Sequence, residues 1–134
     1  MGRKSAREHA FKLIYQMNFW DMSELDSVLE KYYANNPVKV ADRGFIECLL
    51  KGVLDNIGQI SKDIDSNTIG WDIDRIPSVD RAIMCISVYE IQKLDDIPAA
   101  ASINEAVELA KKYGTDDSAA VVNGVLGAIN RKST

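Results

Sequence analysis

Four side chains near the start of the chain have the types and spacing to hold a nucleic acid. Lys4, Arg7, Phe11 and Tyr15 recur at intervals of three, four and four, which keeps them on one side of an α-helix. Cations neutralise phosphates and aromatic faces stack on unpaired bases, so two cations followed by two aromatics suit single-stranded RNA. Arg3 adds a further cation beside Lys4. The same pattern has a plainer meaning, in which Phe11 and Tyr15 pack on a neighbouring helix and the cations face water. Other chemistry is thin. The sequence has no Cys/His cluster at metal-ligand spacing, no glycine-rich phosphate loop and no nucleophile set beside a histidine. His9, the only histidine, lies off the line and receives no role. Glu90 is the one carboxylate inside a strongly apolar stretch. A buried Glu with a raised pKa can be catalytic, but it more often accepts hydrogen bonds from a nearby donor. The chain is expected to bind rather than to catalyse, without metal or cofactor.

Charge distribution says more than total charge. The net charge of −4 does not point to nucleic acid. Within the first twelve residues, however, Arg3, Lys4, Arg7 and Lys12 stand against Glu8 alone, leaving the body of the chain to carry the acidic excess. That basic start runs into an amphipathic segment without an apolar signal core, which predicts a cytoplasmic protein. Cys48 and Cys85 both lie in apolar helical runs and are expected as reduced core residues.

The elements that must position these groups read as helices throughout. At 134 residues, 46% hydrophobic and 27% charged, the chain has the length and composition of one globular domain. Val79–Leu94 is apolar nearly all round, as a central helix would be, and too short and too charged at its ends to span a bilayer. A first helix is expected from Arg3 to about Trp20, with Ala6, Ala10, Leu13 and Met17 facing the core. Ser23 looks like the N-cap of a second helix, and Val40 to about Asn56 a third. Gly58 marks a kink before a fourth that runs to Gly70. Trp71, Ile73 and Ile76 should anchor a linker that Pro77 closes. Ser102 and Glu105 form a capping-box pattern, and Gly114 suits a left-handed C′ position. Gly124 and Gly127 in the last helix each cost about 1 kcal/mol against alanine. Close approach of another helix, or a surface that a partner must reach, would account for them.

Three blocks together resemble the NusB family of bacterial transcription antitermination factors. They are Ala6–Gln16; Val79–Ile83 with Val88–Ile91; and Ile103–Lys111, which continues through Asp117-Ser118 and Val122–Leu126. The resemblance implies an all-α fold of about seven helices in two antiparallel subdomains, residues 1–70 and 71–134. It implies binding to the boxA element of nascent ribosomal RNA together with NusE, the small-subunit ribosomal protein, in an antitermination complex with RNA polymerase and other Nus factors. By position it places Arg3, Lys4, Arg7, Tyr15, Tyr113 and Asp117 near RNA, and Asp80 and Val121 at the partner interface. Ser5 stands where a third arginine can occur, and Val121 where an aromatic can, so either contact is expected to be weaker. Glu105 is a contact residue or only a cap. The alternative is a helical protein–protein adaptor that does not touch RNA.

Overall fold

A helix apolar on almost every side must be covered on almost every side, and the computed structural model does this with five neighbours. It describes residues 2–17, 22–68 and 76–133. Seven α-helices lie among them: α1 (Gly2–Met17), α2 (Leu25–Asn35), α3 (Val40–Asp55), α4 (Ile57–Ser66), α5 (Ser78–Lys93), α6 (Ala99–Tyr113) and α7 (Ser118–Ser133), with no strand among the described residues. Helix α5 is the expected central one. Its residues from Ala82 to Val88 are all buried, and it packs against α1, α3, α4, α6 and α7. Ile83 and Ile86 are 1% and 3% exposed, and burying each such side chain stabilises the fold by roughly 1.5–3 kcal/mol. One continuous cluster of buried side chains draws on all seven helices, from Ala6 to Ile129. Helix α1 lies on α3 and α5, while α6 lies on α5 and α7, so α5 carries both outer layers.

Several local expectations change. Helix α2 begins at Leu25 after a 3-10 turn at Met22–Glu24, with Glu24 rather than Ser23 at the N-cap position. Helix α6 starts three residues before the capping-box serine, with Pro98 at its N-cap position, and Ser102 is a buried residue inside it. Proline pre-sets the backbone angle there, and no side chain caps the helix. Gly114 is extended, with φ −94° and ψ −167°, rather than left-handed. Its glycine is required by proximity instead: a Cβ would lie 2.3 Å from Ser118 Oγ. Cys85 is buried as expected, but Cys48 is exposed on α3. Gly52 is also a close-approach site, since a Cβ there would fall 2.0 Å from Cζ of Tyr89 on α5. Gly124, by contrast, faces open space, so no neighbouring helix accounts for it.

Ile76 packs against the core as a linker anchor should. Trp20, Gly70, Trp71 and Ile73 lie outside the described residues, as does the expected subdomain boundary between 70 and 71. Among the described residues no helix is long and apolar enough to cross a membrane.

Candidate nucleic-acid interface

Helix α1 resolves the opening pattern into two stripes that share both ends. Arg7 and Phe11 turn inward, at 8% and 3% exposure. The stripe left on the surface is Lys4, Glu8, Lys12 and Tyr15, at spacings of four, four and three. Tyr15 is 50% exposed, one of the few large hydrophobic side chains in the open. Its ring stacks on Phe11, with centroids 6.1 Å apart and planes 26° apart. Phe11 in turn meets Tyr113 of α6 at 5.0 Å. The buried Phe11 therefore backs two rings, and Tyr15 offers its surface from a rigid helix. Lys12 and Lys112 place ammonium groups 5.8 and 5.3 Å from the Tyr113 ring centroid, within cation–π range.

Between α1 and α6 runs a groove of about 340 Å³, lined by Lys4, Glu8, Glu105, Glu108, Leu109, Lys111 and Lys112. Glu8 crosses it. Its Oε2 accepts a hydrogen bond from Lys112 Nζ at 2.6 Å and another from the Tyr113 hydroxyl. Burial pushes the Glu8 carboxyl up, but the Lys112 and Tyr113 hydrogen bonds and the charges of Lys112 and Lys12 outweigh it, holding the group below the ordinary carboxylate value. Lys112 is raised for the complementary reason, chiefly its bond to Glu8. Glu105 is thus a groove residue, not half of a capping box. Arg3 lies towards α3 and the turn after α5, 3.3 Å from Asp96 and with its guanidinium 4.6 Å from the centre of the Phe45 ring. An ion pair this exposed holds by at most about 1 kcal/mol, so a phosphate can compete for Arg3.

The remaining site residues separate. Arg7 is not a surface cation. Its Nε donates to Glu90 Oε2 at 2.8 Å, and Ser102 donates to Glu90 Oε1 at 2.7 Å, with Ser87 2.8 Å from the Ser102 hydroxyl. This buried network ties α1, α5 and α6 together and gives Glu90 the expected structural role. Asp80 and Val121 do not form an exposed interface either, being 1% and 6% exposed. Asp80 is held where α5 begins and takes a hydrogen bond from Ser118. Burial nevertheless raises its pKa, and its Oδ1 has no hydrogen-bond partner. Val121 belongs to the core cluster. Asp117 is exposed just before α7 and shares no hydrogen bond or ring contact with the Tyr15 cluster. Sequence reasoning missed Glu8 and Lys112 as groove residues. For Glu8 the signal was present, as the four-residue step from Lys4 to Glu8 to Lys12. For Lys112 the helix dipole explained the charge without a ligand.

A model of the NusB family matches residues 4–131. The chain is 42% identical over 128 residues to the transcription antitermination protein NusB of Agathobacter rectalis, a match covering 94% of this chain and 97% of that one. Against its counterpart in Bacillus velezensis it is 40% identical over 129 residues, with 96% and 95% covered. Among solved structures, T. maritima NusB superposes with a TM-score of 0.84 at 29% identity, over 97% of this chain and 91% of that one. The structure of antitermination factors NusB and NusE in complex with dsRNA gives 0.80 at 28% identity, over 98% and 97%.

Proposed function

The chain belongs to the NusB family, whose relatives above are transcription antitermination proteins, and we propose that it acts as one by holding boxA RNA of nascent ribosomal transcripts together with NusE. Its role is binding rather than catalysis, in the cytoplasm, as part of an antitermination complex with RNA polymerase and other Nus factors. The relative solved with NusE and dsRNA supports NusE and an RNA as partners. The observation that carries RNA contact is Tyr15, half exposed on a rigid helix, backed by Phe11 and followed along α1 and α6 by Lys12, Lys4 and Lys112. A base can stack on that ring while the lysines take the phosphates on either side.

Titrating labelled single-stranded boxA RNA against the chain, with and without NusE, tests this. Removing the ring with Tyr15→Ala should weaken binding by about 1–3 kcal/mol, and Tyr15→Phe should be mild. Unchanged stability would show that the loss is at the surface. The adaptor alternative draws on the ion pairs that already occupy Arg3 and Lys112. Retention of NusE with no RNA shift at any salt would establish it. A duplex of the same sequence that binds as well as the single strand would replace stacking with backbone recognition.

A further inference from the structure

We propose that Glu8 competes with RNA phosphates for Lys112 and Tyr113, and so limits how tightly the α1/α6 groove holds any RNA. This rests on the RNA reading above and adds a residue that opposes binding. The Glu8 oxygen that accepts from the Lys112 ammonium and the Tyr113 hydroxyl has the surroundings that a phosphate oxygen would seek in the groove. The contact joins α1 to α6 across 104 residues of sequence, so it is built by the fold. The Lys112 side chain remains 61% exposed, leaving it within reach of a ligand. With one partner this exposed, the pair holds weakly enough for a phosphate to displace it. Glu8 is anchored on α1 as part of the groove lining, so its charge stays near the incoming phosphate and repels it. This penalty falls on any phosphate in the groove, whatever base stacks on Tyr15. Glu105 and Glu108 line the same groove and add to the penalty.

Glu8→Gln separates charge from shape, because the amide oxygen can still accept from Tyr113. The measurement is binding of boxA RNA, and of a scrambled RNA of equal length, to the NusE complex over a salt series. Wild type is compared with E8Q, K112Q, E8Q/K112Q and Y15A. E8Q should bind boxA RNA about two- to fivefold more tightly, the range expected for releasing one exposed ion pair. Its salt slope should steepen by about 0.7, the increment for one more phosphate neutralised on a single strand. Scrambled RNA should gain by about the same factor, since the penalty falls on any phosphate in the groove. In the K112Q background the gain should shrink, leaving only the relief of direct repulsion. An E8Q protein that binds no better, or whose gain is undiminished without Lys112, overturns the proposal. If Y15A weakens binding in that same series, the RNA reading stands and only the role of Glu8 falls. If Y15A is also without effect, both fall together.

Discussion

Arg7 shows how burial changes what a residue can do. Its guanidinium and the Glu90 carboxylate are 9% and 1% exposed and 2.8 Å apart, so removing either leaves the other charged and without its partner inside the protein. Arg7→Ala should therefore destabilise by about 3–5 kcal/mol. Pairing Arg7→Met with Glu90→Leu should recover much of that, because Ser102 keeps Ser87 as a neighbour. Denaturation midpoints of the single and double variants check both statements. In the folded double variant the RNA salt slope should stay unchanged, whereas losing a phosphate-contacting arginine would lower it by about 0.7. His9 carries the pH prediction. Burial and then the charge of Lys12 lower its pKa from 6.5, against the opposing pull of Glu8 and Asp42. Its Nδ1 lies 2.7 Å from the Tyr32 hydroxyl. A lowered folded pKa means that the folded state binds this proton less readily than the unfolded one. The associated stability is present above 6.5 and is lost as pH falls through the folded value. His9→Gln should flatten that part of the profile, and with only one histidine in the chain the assignment is direct. Glu90 was legible as an acceptor because a lone carboxylate in an apolar helix needs a donor. Its donor was not, since Arg7 lies 83 positions away.

At the scale of the helix, glycine separates the packed positions from the open ones. A Cβ on Gly52 would enter the Tyr89 ring, with three ring atoms at 2.0–2.5 Å. Gly52→Ala should then cost about 1–3 kcal/mol as the ring is displaced, and Tyr89→Ala in the same chain should remove the conflict. Gly124→Ala meets nothing within 4 Å and should stabilise α7 by about 0.5–1 kcal/mol. Thermal melts give both signs. If Gly124→Ala raises the melting temperature and weakens RNA or NusE binding, that open face is a contact surface. Helix positions were legible because apolar periodicity is strong in α4 and α6 and because α5 is apolar nearly all round. Helix ends were not. Ser102 and Glu105 fit a capping pattern, yet Pro98 begins the helix earlier and Ser102 serves Glu90. On α1 the stripes 4-7-11-15 and 4-8-12-15 are equally good helical faces. Only the packing of α3, α5 and α6 shows that the first turns inward at Arg7 and Phe11.

The whole molecule adds a problem that no single helix faces, because a chain of net charge −4 must admit a polyanion. Its answer is placement. Helix α5 holds α1 and α6 side by side, so Lys4 and Lys12 from one end of the sequence meet Lys111 and Lys112 from the other. At physiological salt the screening length is about 8 Å, so RNA in the groove feels these lysines more than the distant acids of the body. At 0.01 M it grows to about 30 Å, comparable to the molecule, and the acidic body then repels the same RNA. Affinity of the isolated chain should therefore stop rising as salt is lowered towards that range. Above it, four lysines contacting a single strand limit the slope of log K against log salt to about 3. Lys12→Gln should lower the slope by about 0.7, whereas Tyr15→Ala should lower affinity and leave the slope nearly unchanged. A straight line steeper than about 3 for the chain alone would bring further cations into contact, Arg3 first, since the exposed Asp96 is its only ion-pair partner among the described residues. A slope for the NusE complex no steeper than that of the isolated chain would show that the partner adds no phosphate contacts. Its help would then come from ordering the RNA over Tyr15.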